Sequence, residues 1–220
     1  MTFSKYDKIL LSDQKYREND NNGIKTTDNN FCIINGNIPV LLSAPHSVKT
    51  VRENRLKSSD ILTGGIVEYI CQQCNTFGIT RIFNNNDDPN YYNTGISLEY
   101  KNAAIDLINS NNINFLFDIH GCKDEHPFEI EIGTNYSANL NNPKTYEIVR
   151  NAFSNIASVS IDNTFMASSP ANISNYIHFH TNIDCIQIEI CKSIRTNPQR
   201  LMQFVDSFSK MISDLCQAVP

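Results

Sequence analysis

The sequence predicts an α/β fold, a mixed sheet flanked by helices, and three observations carry that expectation. Short apolar segments alternate with segments of helical period along most of the chain. The run Phe115, Leu116, Phe117 has no helical period, reads as a buried strand, and breaks off in Asp118-Ile119-His120-Gly121. Near the C-terminus, Leu201, Phe204, Val205, Phe208, Met211, Ile212 and Leu215 are spaced as one face of an amphipathic helix over 198–216.

Residues 1–30 are polar and weakly periodic and read as an N-terminal arm, with 4–11 a short helix or strand and 17–30 a loop or hairpin arm. The segments 31–34 and 38–43, joined by Asn35-Gly36-Asn37, read as a β-hairpin, because Asn-Gly favours a tight turn. Pro45 ends the second strand, since proline cannot extend a central ladder, and His46 follows it. The charged stretch 47–60 reads as irregular. Ser58 or Ser59 then caps a helix over 60–77, with Ile61, Leu62, Val67, Ile70, Cys71 and Cys74 on its apolar face. Gly64-Gly65 weakens its first turns and points to close packing or substrate approach there. Gly78 ends it, 79–83 reads as a strand, 84–95 as a loop and 97–109 as a helix. After the buried strand over 114–120, the segment 128–132 alternates strictly, with Glu129 and Glu131 on its polar face. A helix over 144–157, a strand over 159–165 and a buried strand over 184–190 precede the closing helix. The segment 169–181 fits neither pattern.

At 220 residues, with no internal repeat or linker, one domain is expected over the whole chain. A net charge of −5 argues against nucleic acid or an anionic membrane surface as the main partner. No apolar run approaches the ~20 residues of a membrane span. The first twenty residues hold no extended apolar stretch, and the seven scattered cysteines read as reduced thiols, so a cytoplasmic location is expected. The asparagine-rich tracts carry no functional reading.

In an open α/β sheet, ligands bind beyond the carboxyl ends of the strands. Three apolar strands bring polar groups to such ends: one reaches His46, one Asp118 and His120, and one Glu189. Asp118 and His120 are two residues apart and share a face. His46 and His120 are candidate ligands for zinc, which in catalytic sites takes three protein ligands and keeps one position open. A carboxylate or another histidine completes the set, and of the nearby carboxylates Asp60 at a rigid helix start is preferred to Glu53 on the irregular stretch. The bland alternatives are hydrogen-bonded strand-end histidines and an aspartate that stabilises a helix N-terminus. Asp118 either orients a histidine through its second ring nitrogen or adds a fourth ligand. Glu189, costly in an apolar strand, is either a general base or half of a buried ion pair. Arg52, Lys57 and Arg195 are candidates to hold a substrate carboxylate, which arginine grips bidentately. His178 and His180 would bind metal together only in an extended segment. His126 reads as a surface-loop residue, and Cys71 and Cys74 as helix packing. A His₂-carboxylate set also suits iron or manganese. There is no phosphate loop, nucleophile elbow or nucleotide fingerprint.

Taken in order, the blocks SAPHS (43–47), KSSDILTGGI (57–66), DDPNYY (87–92), DIHGC (118–122), EIGTN (131–135) and IQIEICKSIR (186–195) resemble the N-formylglutamate amidohydrolase family, which is similar in fold to the zinc carboxypeptidases. The resemblance spans about 38–195. It implies a three-layer α/β/α sandwich and a zinc-dependent amidohydrolase acting on a small N-acyl amino acid such as N-formylglutamate. By block, it implies His46, Asp60 and His120 as ligands of one zinc ion and Glu189 as the catalytic carboxylate. The resemblance also implies that Arg52, between the first two blocks, and Asn90 and Arg195, within later ones, face the substrate with Lys57 nearby, Arg52 as a catalytic residue. Three positions depart from the pattern: Lys49 stands where a His-x-x-Glu motif has its glutamate, Val48 where a glycine is common, and Lys192 where an arginine is expected. The chain is also short for the family. These departures leave two alternatives, a non-catalytic binding protein on the same fold and a carboxypeptidase or deacylase acting on a larger peptide.

Overall fold

The computed structural model describes residues 3–25 and 30–218. In chain order the elements are α1 (Lys5–Asn21), β1 (Phe31–Ile34), β2 (Ile38–Ala44), β3 (Thr50–Arg52), β4 (Arg55–Lys57), α2 (Thr63–Cys74), β5 (Thr76–Arg81), α3 (Gly95–Asn111), β6 (Phe115–Cys122), β7 (Ile130–Gly133), α4 (Pro143–Ser154), β8 (Val159–Ile161), α5 (Ile173–Thr181), β9 (Asp184–Cys191), α6 (Lys192–Thr196) and α7 (Pro198–Ala218). Seven strands form one mixed sheet in the order β1-β5-β2-β6-β9-β7-β8. The four middle strands β5, β2, β6 and β9 are mutually parallel, and β1, β7 and β8 run against them.

Helices cover both faces, giving the expected α/β/α layering. Val40, Leu42, Phe117, Ile119, Ile186 and Ile188 face α2, α4 and α7, and the alternate residues Leu41, Leu116 and Cys185 face α3 and α5. Strands buried on both faces need near-continuous apolar runs, which is why β2, β6 and β9 are legible as such. The seven residues read as the apolar face of α7 are all buried.

Several expectations are corrected. The N-terminal arm is largely helical: Ser4 accepts from the Asp7 N–H and Asp7 answers on the Ser4 backbone, a capping box that starts α1. Of the expected 17–30 loop, residues 26–29 lie outside the described residues. β1 and β2 are not a hairpin, because β5 lies between them. The Asn35-Gly36-Asn37 turn wraps the start of β5 instead: the Asn37 and Ile38 N–H groups both donate to the Asn75 carbonyl, and a side chain at Gly36 would strike the Thr76 backbone. The irregular stretch 47–60 contains the β3–β4 ribbon. The helix expected over 60–77 is shorter. It begins after Leu62 without a serine cap and ends at Asn75, so Gly78 lies inside β5. Its Gly64-Gly65 pair does mark close packing: side chains there would meet Tyr16, Asp13 and the Ile9 carbonyl of α1. The strand expected over 128–132 is β7, two residues further on, and β8 stops well short of residue 165. Residues 173–181 are helical, so His178 and His180 diverge; each ring binds a nearby carbonyl, of Ile183 and Tyr176. All seven cysteines are free. Asparagine takes the left-handed positions that glycine usually fills, including the C-caps Asn75, Asn112 and Asn182. No described helix is long and apolar enough to cross a membrane.

Candidate metal centre

The four parallel strands end at one edge of the sheet, and each delivers a polar group there. β2 runs out through Pro45 to His46. β6 carries Asp118 and His120 on its α3/α5 face. β9 carries Gln187 and Glu189, in register with Asp118 and His120. The loop after β5 brings in Asp88. Asp60 arrives from the turn before α2, where its N–H donates to the His46 carbonyl at 2.8 Å and so ties the two positions together.

The geometry is that of a converging donor set. His46 Nδ1 and His120 Nδ1 lie 3.0 Å apart, and Asp60 Oδ2 lies 3.4 and 3.5 Å from them. The far nitrogen of each ring faces a buried carboxylate: His46 Nε2 sits 2.9 Å from Asp88 Oδ1, and His120 Nε2 sits 2.8 Å from Asp118 Oδ2. A carboxylate only accepts, so each Nε2 carries the proton and each Nδ1 lone pair points inward. With both imidazoles neutral, the state a metal binds, three acceptors meet with no donor among them. Ligand atoms about 2.05 Å from a tetrahedral centre stand about 3.3 Å apart, and the observed separations bracket that value. The donor set fits zinc.

Charges around the cluster shift one another. Burial alone pulls both imidazoles down, but Asp88 and Asp60 outweigh it at His46, and Asp118 and Asp60 at His120, so both rise above the ordinary histidine range. Burial pushes Asp60 and Asp88 up, but the two histidines at Asp60, and His46 and Arg52 at Asp88, overcome it and hold both carboxyls below the usual range. Glu189 goes the other way: burial, opposed by His120 and assisted by Asp60, pushes it up to about 7.

Of the two carboxylates weighed as third ligand, Asp60 joins the cluster. Glu53 is exposed on the β3–β4 turn, where it accepts from Tyr91 Oη at 2.6 Å. Arg52 lies in the cleft wall, its Nε donating to Asp88 and its Nη2 3.3 Å from His46. Lys57 is exposed on β4 at the cleft edge, and the Asn90 side-chain oxygen accepts from the Ile173 N–H at 2.8 Å, fixing the start of α5 at the cleft. Arg195 departs from its expected place. It is buried, and its guanidinium donates to the Ile190, Ile61 and Cys122 carbonyls, beneath Gly121 and outside the cleft. Val48 fills a small core with Tyr16 and Ile82, and Lys49 pairs with Asp20, so neither departure disturbs the cluster.

Two participants escape the sequence reading. Asp88 sits in DDPNYY without any pattern that separates it from Asp87. Glu131 does not lie on a polar strand face: it is buried, and one of its oxygens accepts from the Asn163, Thr164 and Phe165 N–H groups at 2.6–2.9 Å. That anchor holds the loop whose residues 164–169 wall the cleft.

No protein-family model matches the sequence, and no curated protein matches it. Solved structures share the fold. N-formylglutamate amidohydrolase from Ralstonia eutropha superposes with a TM-score of 0.60 at 9% identity, over 86% of this chain and 97% of that one. A bacteriophage poly-gamma-glutamate hydrolase gives 0.55 at 13% identity, over 86% and 91% of the two chains. A metallo-carboxypeptidase from Burkholderia cenocepacia gives 0.50 at 9% identity, over 82% and 57%.

Proposed function

We propose that the protein is a metal-dependent hydrolase of a C–N amide bond, of the N-formylglutamate amidohydrolase kind, acting on a small N-acyl amino acid. The observation that carries this reading is the convergence of His46 Nδ1, His120 Nδ1 and Asp60 Oδ2, each imidazole aimed by its own buried aspartate, beside a buried glutamate. The structural likeness to amidohydrolases and carboxypeptidases supports it.

His46, Asp60 and His120 would hold one zinc ion. When bound, zinc supplies Lewis acidity toward a carbonyl oxygen and makes nearby water more acidic. Glu189 then has the work of a general base. It takes a proton from the attacking water and returns it to the leaving amine nitrogen, and its burial beside Asp60 favours the protonated form that the second transfer starts from. Gln187 Nε2 donates to Glu189 Oε1 at 3.2 Å, and Asn172 in turn donates to Gln187, so the base is held by a buried amide pair. Arg52, fixed by Asp88, offers its outer N–H groups to a substrate carboxylate and to the negative charge that develops on the carbonyl oxygen. Lys57 and Asn90 line the same cleft. The whole chain acts as one domain, in the cytoplasm, with no nucleic-acid partner.

Elemental analysis of untagged protein tests this. About one zinc per chain is expected in the wild type and none in His46→Ala. Turnover of an N-acyl amino acid panel, lost in Glu189→Gln, completes the test. A protein that takes up no metal when zinc is supplied overturns the reading.

A further inference from the structure

A second cavity adjoins the cleft. It measures about 500 Å³ against about 580 Å³ for the cleft, and the two share Ser58, Asp60, Gly121, Lys123 and Phe165 as walls. Asp60 belongs to the converging donor set, so the two spaces adjoin across that residue, while His46, His120 and Glu189 line the cleft alone. Beyond the shared wall, the second cavity is bounded by Ser59, Ile61, Cys122 and His126, with Glu125 and Lys192 at its rim. Phe128 stacks on His126 with ring centroids 5.0 Å apart and an interplanar angle of 12°, and Phe165 meets the same ring edge-on at 5.2 Å. Arg195 closes one side; it is buried and gives three of its five N–H groups to carbonyls. The wall is more apolar than that of the cleft.

An amide has two arms, which leave the scissile bond in opposite directions. Arg52 and Lys57 line the cleft alone, whereas of the lysines at the second cavity Lys123 pairs with Glu125 and Lys192 is exposed at the rim, so the arm that carries a carboxylate belongs in the cleft. The other arm has the apolar space across Asp60. A formyl group has no such arm and would leave that space filled with water. We infer that the second cavity receives the acyl arm of the substrate, and that this arm is an apolar chain or ring larger than formyl. The inference rests on the amide-hydrolase reading above, and it adds the class of acyl group.

The test is a calorimetric titration of zinc-loaded Glu189→Gln protein with N-formyl, N-acetyl, N-butanoyl, N-hexanoyl and N-benzoyl glutamate. Affinity is expected to rise about two- to fourfold per buried methylene until the cavity is full. Ser59→Phe in the same background fills the cavity, and should abolish that rise while N-formylglutamate binds as before. Lys192→Trp at the rim serves the same purpose if Ser59→Phe fails to fold. Affinity that stays flat or falls with acyl length, a rise that neither filling substitution reduces, or no binding by any member, overturns the inference. Wild-type turnover of the same series judges the hydrolase reading separately. Length-dependent binding without turnover sinks that reading and leaves the cavity assignment standing. Turnover of the formyl compound alone does the reverse.

Discussion

Asp88→Asn is the substitution that separates an aimed imidazole from a merely buried one. The wild-type carboxylate is wholly buried and accepts four hydrogen bonds. Oδ1 takes them from His46 Nε2 and the Asn90 N–H, both at 2.9 Å, and Oδ2 from Thr50 Oγ1 and Arg52 Nε. Asparagine keeps the shape but has a single acceptor oxygen. Whichever way the amide turns, its NH₂ faces two former donors. The better pose keeps the oxygen on His46 and Asn90, lets the Thr50 hydroxyl reverse, and leaves the Arg52 N–H without a partner. A hydrogen bond to a charged group contributes about 1.5–3 kcal/mol, and Arg52 also loses its counter-charge, so metal-free stability should fall by roughly 2–4 kcal/mol at neutral pH. The sign with pH follows from a carboxyl held below its ordinary range. The contribution is fully present above the unfolded value of about 3.9 and is lost as pH falls from there toward the depressed folded one, so wild type and variant should converge in acid. Loss of an outer carboxylate costs about 10–100-fold in metal affinity, or ~1.4–2.8 kcal/mol. Competition against a chromogenic chelator gives the affinity, and urea unfolding of the metal-free protein gives the stability. A folded Asp88→Asn protein that binds zinc within twofold of wild type would refute the assignment of Asp88 as the group that fixes His46.

His120→Ala and Asp60→Asn should each leave the protein without stoichiometric zinc by elemental analysis, whereas Glu53→Gln should retain it. Glu189→Gln should keep its metal and lose at least about a hundredfold in kcat; full activity removes Glu189 as the base. The same variant should be more stable than wild type when metal-free at pH 8. The unfolded carboxyl loses its proton near pH 4 while the folded one holds it to about 7, so wild-type stability declines across that window by an order of 1–3 kcal/mol that glutamine does not lose. On the surface, Arg200 and the Ser158 N–H pull Glu129 down to about 2, so their pairing stabilises above the ordinary carboxylate range and fades as pH falls through 2. Glu129 is 36% exposed, so Arg200→Gln should cost only about 1 kcal/mol at pH 7 by urea unfolding, and nothing at pH 2.

What was legible in the sequence was what local physics dictates. β2, β6 and β9 are buried on both faces and therefore read as apolar runs, and α7 lies on the core along one side and therefore shows its period. His46, His120 and Glu189 stand out because a polar residue at the end of such a run has few other reasons to be there. Non-local pairing was hidden. Asn35-Gly36 is a proper hairpin signal, but β5, which starts some forty residues later, outcompetes β1 for β2 because parallel pairing there lets α2 cover the sheet. Glu131 alternates as a solvent-facing residue should, yet its face is covered by the loop it anchors. Asp88 belongs to a loop rich in polar residues, and only the fold chooses it over Asp87, which instead pairs with Arg81 and Ser97. The ribbon β3–β4 is too short and too charged to show a period of two.

The arrangement of charge at the sheet edge has a thermodynamic consequence of its own. Asp60, Asp88, Asp118 and Glu189 gather around two imidazoles and one guanidinium, that of Arg52. With both histidines neutral, these four carboxylates face the Arg52 guanidinium and the buried Lys101 ammonium, whose charge Asp88 and Asp118 favour. Without metal, protons offset the remaining excess: the carboxylates raise His46 and His120, while at Glu189 burial, assisted by Asp60, is what raises the carboxyl. A divalent ion supplies the same positive charge from the centre of the three acceptors, so its entry should expel protons already held there. Zinc binding is therefore expected to release protons near neutral pH, and apparent affinity should rise with pH through about 7, where the Glu189 carboxyl gives up its own. Calorimetric titration with zinc in buffers of different ionisation enthalpy measures that release directly. Release that is absent in wild type at pH 6.5, or unchanged by Glu189→Gln, would mean that the carboxylates are balanced by something other than the protons on this cluster, and would refute the coupling of metal entry to Glu189.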